Sequence, residues 1–196
     1  MARNETEKAD QPSLQDAFRP AGVGTYRYHL RGGEELWVRA ATATDAAVIH
    51  DITQRSFSEF RGSLDPPNGS DIETPAQIAD QLSRGYALIG YIDNTPVASV
   101  RLQATPEHLY VGRFGVVPEK RGRGIGAAIM QSIEDIARTM STPRVQLSTR
   151  AKLQSNVRFY NRLGYVIIRT APHPGGSDII VTFNKRIEPE SESGTS

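Results

Sequence analysis

The 196-residue sequence contains no cysteine, which excludes a disulfide framework, a thiol nucleophile and a cysteine-ligated metal site. It has only four histidines, and no two of them have the spacing that places metal ligands on one helix face. No run of about 18 apolar residues occurs, and the N-terminal stretch has no contiguous apolar segment typical of a secretory signal. We therefore expect a cytoplasmic protein that binds neither a metal nor a membrane.

Charge is nearly balanced overall, with a formal net charge of +1, but it is unevenly distributed. No acidic residue occurs between Asp135 and Asp178. The same segment carries seven basic residues: Arg138, Arg144, Arg150, Lys152, Arg158, Arg162 and Arg169. This half favours a polyanionic ligand. Nucleic acid is disfavoured as a partner because no aromatic platform lies among the arginines.

The chain divides into one domain with two polar appendages. Residues 1–34 combine proline and glycine with few large apolar groups, which predicts a mobile N-terminal extension, although Tyr26, Tyr28 and Leu30 alternate as in a strand. Residues 35–187 form the predicted domain, and residues 188–196 a flexible polar tail.

Apolar periodicity within the domain predicts an α+β (mixed α/β) fold. Expected helices cover residues 45–57, 75–85, 125–140 and 154–163. The second begins in a capping box formed by Thr74 and Gln77, with Pro75 between them. Expected strands cover residues 36–40, 86–92, 97–102, 109–117, 145–149, 165–169 and 179–183. Residues 58–71 form a loop longer than a simple connection needs.

Residues 113–130 read as a strand, a basic glycine-rich loop and an amphipathic helix in that order. A helix N-terminus preceded by glycines presents free backbone N–H groups, so the loop predicts a phosphate cradle. A Walker A loop is excluded because no Gly-Lys-Ser/Thr ending is present. Gly122, Gly124 and Ala127 satisfy the dinucleotide fingerprint, but several strands precede them and a basic region replaces the expected acidic residue.

Residues 121–126, Arg-Gly-Arg-Gly-Ile-Gly, match the R/Q-x-x-G-x-G/A signature of the GNAT superfamily of acyl-CoA N-acyltransferases. Residues 114–118 resemble that family's central strand, and residues 156–165 resemble its second motif. The resemblance extends over roughly residues 36–187. It implies a three-layer fold whose central, mostly antiparallel sheet of six to seven strands is flanked by four helices. It also implies an N-acetyltransferase that moves an acetyl group from acetyl-CoA to a primary amine without a metal.

The resemblance assigns roles to particular positions. Tyr160 becomes the general acid for the departing thiolate, and Asn156 a cofactor contact. The central strand is expected to bind the pantetheine arm through the backbone of Val116 and Val117. The diphosphate is expected on the loop made of Arg121, Gly122, Arg123, Gly124, Ile125 and Gly126.

More than one residue could be the general base. Several members of the family carry Glu or His at the position of Tyr110, and tyrosine is a poor base at neutral pH. Glu107, His108 and a water chain are the candidates.

The acceptor is expected over the long loop and could be a small molecule or a peptide amine. Glu59 and Asp65 would attract a cationic amine there, whereas Arg61 and Arg150 would suit an acceptor that carries a carboxylate. A non-catalytic acyl-CoA-binding or regulatory module of the same fold is the alternative function. A homodimer is left open.

Overall fold

The computed structural model describes residues 25–83 and 85–188, which form one eight-stranded sheet and four α-helices. The strands are β1 (Thr25–His29), β2 (Glu35–Ala40), β3 (Tyr86–Ile92), β4 (Thr95–Ala104), β5 (Leu109–Val116), β6 (Arg144–Arg150), β7 (Val166–Pro172) and β8 (Ile179–Arg186). The helices are α1 (Ala46–Phe57), α2 (Pro75–Leu82), α3 (Ile125–Thr139) and α4 (Gln154–Arg162). No described helix is long and apolar enough to cross a membrane.

The sheet runs in the order β1-β2-β3-β4-β5-β6-β8-β7. Every neighbouring pair is antiparallel except β5 and β6, which are parallel. Those two strands pair only from Leu109 with Val145 to Val111 with Leu147, and they separate beyond that point. The second halves of β5 and β6 therefore border an opening in the middle of the sheet.

The helices form two layers on opposite faces of the sheet. A Cβ atom at Gly115 of β5 would lie 2.6 Å from the Cβ atom of Ser56, so α1 packs directly on that face, with α2 beside it. A Cβ atom at Gly90 of β3 would lie 3.3 Å from Ile129 of α3, on the other face. The α3 side of the sheet buries Ile125, Ile129, Ile133 and Ile136, each at 1% exposure or less.

Local sequence signals explain several boundaries. In the predicted capping box of α2, the Thr74 backbone donates to Gln77 Oε1 at 2.8 Å and the Gln77 backbone donates to Thr74 Oγ1 at 3.3 Å. Asp93 and Asn94 both have left-handed φ angles, 49° and 60°, as a two-residue hairpin turn requires. That tight turn lets β4 begin at Thr95, two residues before the predicted start.

The sheet has eight strands instead of the predicted six to seven. The additional strand is β1, which lies inside the predicted N-terminal extension and pairs with β2 from Thr25–Arg39 to His29–Glu35. Its alternating residues are only partly buried, because β1 is an edge strand, and this weakens the apolar pattern in the sequence. Residues 1–24 of the extension and residues 189–196 of the tail lie outside the described residues.

Candidate active site

A cleft of about 840 Å³ opens where β5 and β6 separate. Its walls come from the end of α1, the second half of β5, the first turn of α3 and one face of α4. Eight of the ten residues that the sequence singles out line it: Val116, Arg121, Gly122, Gly124, Ile125, Gly126, Asn156 and Tyr160. Val117 is instead buried in the core at 1% exposure, and Arg123 faces the neighbouring groove.

The glycine loop brings backbone N–H groups to one end of the cleft. Gly122 and Gly124 have left-handed φ angles of 76° and 93°, which an L side chain rarely adopts. Gly124 is the N-cap of α3, and no side chain among the described residues caps that helix start. The first-turn N–H groups of a 15-residue helix, with its dipole behind them, are thus available to an anion.

The basic residues of the loop have acidic partners. Arg121 is ion-paired with Glu59, and it also donates to the carbonyl oxygens of Val116 at 3.0 Å and Ser56 at 2.7 Å. Arg121 therefore ties the loop to β5 and to the end of α1. Glu59 is committed to this contact and is not free to attract an amine, contrary to the expectation from sequence.

Glu34 is the acidic partner of Lys120 and Arg123, the other two cations at the loop. Its carboxylate accepts from Lys120 Nζ at 2.9 Å and from Arg123 Nη1 at 2.8 Å. Hydrogen bonds from Arg123 and Lys120 hold the pKa of Glu34 below its usual value. The turn before β2 thus supplies a counter-charge to the loop, a contact across 86 and 89 residues that no local pattern indicates.

Aromatic rings form the opposite wall of the cleft. Phe159 contacts Phe114 with ring centroids 6.4 Å apart, and it contacts Tyr160 at 5.1 Å. A Cβ atom at Gly126 would lie 3.1 Å from Phe159 Cζ, so only a very small residue fits there. The glycine keeps the first turn of α3 against this wall.

Tyr160 is buried, with 8% of its surface exposed. Its hydroxyl has no hydrogen-bond partner in the described part of the chain, and burial, with a further contribution from Tyr110, raises its pKa. Asn156 lies one turn earlier on the same face of α4, where its Nδ2 donates to Thr149 Oγ1 at 3.4 Å. The two residues that the second motif singles out therefore share one wall of the cleft.

The candidate bases lie outside the cleft lining. Glu107 is exposed in the turn before β5. The backbone N–H of His108 donates to Thr105 Oγ1 at 3.1 Å, and its ring stands 6.4 Å from that of Tyr110. The cleft lining contains neither Glu107 nor His108.

The remaining residues expected to meet the acceptor have structural partners. The Asp65 carboxylate accepts from the backbone and hydroxyl of Ser177, which fastens the long loop to the β7–β8 turn. Arg150 lies 3.8 Å from Asp178 and donates to the carbonyl of Pro66. Of the seven residues in the basic run, Arg162 alone lines the cleft. No group of three metal-ligating side chains was found among the described residues.

A sequence profile of the acetyltransferase (GNAT) family matches residues 47–165. The matched segment includes the glycine loop, the parting strands and α4, which build the cleft. The chain belongs to the GNAT acetyltransferase family. This confirms the resemblance carried by residues 121–126 and 156–165.

Individual GNAT proteins are similar at lower identity. Streptothricin acetyltransferase of Streptomyces lavendulae is 28% identical over 124 residues, which cover 59% of this chain and 66% of that protein, just under two thirds of its length. The ribosomal-protein-S18-alanine N-acetyltransferase of Escherichia coli has a TM-score of 0.63 at 16% identity, and the match covers 82% of this chain and 99% of that one. A ribosomal L7/L12 α-N-protein acetyltransferase in complex with coenzyme A has a TM-score of 0.64 at 14% identity, covering 78% and 94%. The solved structures share the fold.

Proposed function

We propose that the protein transfers an acetyl group from acetyl-CoA to the primary amine of a small molecule or peptide by direct attack. One observation carries the proposal. The uncapped N-terminus of α3, the edge of β5 that β6 leaves unpaired and Tyr160 all line the same cleft. These three features would bind a diphosphate, an extended thioester arm and a departing thiolate, in this order.

The residues present fit coenzyme A. The first-turn N–H groups of α3 and the backbone of the glycine loop, from Arg121 to Gly126, would hold the diphosphate. The edge of β5 that β6 leaves open at Val116 would bind the extended arm through main-chain groups, as an added strand does. Val117 continues this strand, but its N–H donates to the Val97 carbonyl at 2.9 Å and its carbonyl accepts from the Lys120 N–H at 3.0 Å. Asn156 would contact the same arm from α4. Acetyl-CoA supplies the activated acetyl group, and no residue of the chain needs to carry it covalently.

Tyr160 acts on the thiolate side of the reaction. Its raised pKa keeps the hydroxyl protonated at every physiological pH, so it can always donate. With ordinary pKa values, proton transfer from a phenol to a thiolate is uphill by about 2 kcal/mol, and burial of Tyr160 increases that difference. The hydroxyl therefore contributes mainly as a hydrogen-bond donor while charge develops on sulfur, and the proton moves late.

Binding of acetyl-CoA is tested by calorimetry on two matched glycine-to-valine variants. Gly126→Val places a side chain against Phe159 and over the N–H groups of α3, and we expect at least a 30-fold loss of affinity. Gly32→Val, where a Cβ atom has open space, should bind like the wild type. Wild-type protein that fails to bind acetyl-CoA would contradict the proposal. Binding without thiol release in the presence of any amine would favour the non-catalytic acyl-CoA module instead.

A further inference from the structure

Arg113 stands out because it is a half-buried arginine with no partner. Its guanidinium makes no hydrogen bond or ion pair within residues 25–83 and 85–188, and its Nε atom is fully buried. Burial first, and then the neighbouring charge of Arg101, lower the pKa of the Arg113 guanidinium, while Glu73, Tyr110 and Asp71 act in the opposite direction. A half-buried cation that no acid contacts directly destabilises the fold, and a ligand carboxylate would relieve this cost.

The backbone of β5 is irregular at Arg113. Opposite β4, the pairing shifts from Ser99–Gly115 to Arg101–Gly112, so that Arg113 and Phe114 form a β-bulge. Arg113 has a left-handed φ of 50°, which is uncommon for a residue with a long side chain. Phe114 lines the cleft, whereas the Arg113 guanidinium reaches Gly69 in the long loop.

The surroundings of Arg113 leave one positive charge unmatched. Glu73 is committed to Arg101 through two hydrogen bonds, of 2.7 and 2.6 Å. Asp71 faces Arg61, at 3.8 Å. With three arginines and two acids in this cluster, the cation without a committed acid is that of Arg113.

The Arg113 guanidinium lies against the long loop of residues 58–71, over which the acceptor is expected. Gly69 leaves the space that the guanidinium occupies, since a Cβ atom there would lie 2.7 Å from Arg113 Nη2. The guanidinium thus stands on the α1 and α2 side of the sheet, beside the long loop.

We propose that the Arg113 guanidinium binds a carboxylate of the acceptor, which makes the acceptor an amino acid or another small amine that bears a carboxylate. This rests on the acetyl transfer proposed above. Arginine suits the role because its planar fork matches a carboxylate with two parallel hydrogen bonds. The acceptor carboxylate would supply the missing counter-charge when bound.

The test compares amino acids with their amides, which keep the amine and lose the negative charge. The panel contains α-, β-, γ- and ω-amino acids, each assayed for kcat/KM beside its amide. We expect at least one acid to exceed its amide by about 10- to 100-fold, as a charged bidentate contact allows. Arg113→Gln should abolish that preference by lowering kcat/KM for the acid alone, and Arg113→Lys should retain part of it. Arg55→Gln, which alters a partly exposed arginine paired with Asp51 and Glu119, should change neither.

Two further measurements exclude a merely structural role. Urea unfolding of Arg113→Gln should show a midpoint at or above that of the wild type, because the variant removes a half-buried cation that no acid contacts directly. A lower midpoint with an unchanged acid-to-amide ratio would overturn the proposal. Gly69→Ala leaves Arg113 in the sequence but crowds its guanidinium, so it should also reduce the preference for the acid.

The outcomes separate this proposal from the general one. Equal rates for acids and amides, unaffected by Arg113→Gln, would refute carboxylate binding and leave acetyl transfer intact. Absence of turnover with every amine would refute acetyl transfer. In that case the carboxylate site is tested by calorimetry with the N-acetyl amino acids in the presence of coenzyme A. Binding that Arg113→Gln weakens supports the site, and absence of binding overturns it.

Discussion

Replacing Tyr160 with phenylalanine removes one hydroxyl from the cleft and leaves every ring contact in place. The ring packs on Phe159 with centroids 5.1 Å apart and on Phe183 at 5.6 Å. A buried hydroxyl without a partner costs roughly 1 to 3 kcal/mol, and one that faces a cleft costs less because water can reach it. We therefore expect Tyr160→Phe to unfold at the same urea concentration as the wild type or to gain up to about 1 kcal/mol.

The rate of acetyl transfer by Tyr160→Phe should fall, although its stability does not. A positioned proton donor contributes about 100- to 10,000-fold to a reaction, and the raised pKa of Tyr160 places it at the lower end of that range. We expect kcat for thiol release to fall about 100-fold. The dissociation constant of acetyl-CoA should change less than about threefold, because the hydroxyl acts only as charge develops on sulfur.

Tyr165→Phe is the matched control. The Tyr165 hydroxyl donates to Glu134 Oε1 at 3.1 Å, and Glu134 also accepts from Lys185. Loss of a hydrogen bond to a buried carboxylate should cost about 1 to 2 kcal/mol of unfolding free energy and leave kcat within about twofold. If Tyr160→Phe were instead destabilised but fully active, Tyr160 would be a core residue and the reasoning would be refuted.

Three further predictions concern pH, charge and packing. Hydrogen bonds from Arg39 hold the pKa of Asp45 at about 2, so this pair stabilises the fold fully above pH 4 and the effect is lost as the pH falls through 2. Asp45→Asn should cost about 1 to 2 kcal/mol at pH 7 in urea unfolding, after allowance for solvent screening, and progressively less as the pH falls from about 4 through 2. Glu34→Gln removes a carboxylate that repels the diphosphate, and calorimetry at low salt should give about 3- to 10-fold tighter acetyl-CoA binding, with weaker binding contradicting this role. Gly115→Ala should cost about 1 to 3 kcal/mol, because its Cβ atom would lie 2.6 Å from that of Ser56, and Ser56→Gly in the same chain should recover part of the loss.

The features that the sequence predicts well are local ones. The start of α2 depends on Thr74, Pro75 and Gln77 within four residues, and the structure has that capping box. The glycine loop is equally local, since the φ angles of Gly122 and Gly124 and the apolar spacing of α3 follow from adjacent residues. Family membership followed from the same short motifs.

The features that could not be predicted depend on distant contacts. Glu34 pairs with Lys120 from 86 residues away, so the region of the glycine loop has less net positive charge than its own residues indicate. Glu59 looked available for an amine only because its partner, Arg121, lies 62 residues further along the chain. Arg113 reads as an ordinary strand residue in the sequence, and only the pairing shift between β4 and β5 shows that it leaves the strand.

The central claim is that this cleft moves an acetyl group to nitrogen, and one measurement tests it most directly. The protein is incubated with acetyl-CoA labelled in the acetyl group and with the amine panel, and the products are identified by mass spectrometry. We predict a labelled N-acetyl amine that forms in step with free coenzyme A, about 100-fold more slowly in Tyr160→Phe. Acetyl-CoA that binds but transfers its label to no amine, with the same result in both proteins, would contradict the account.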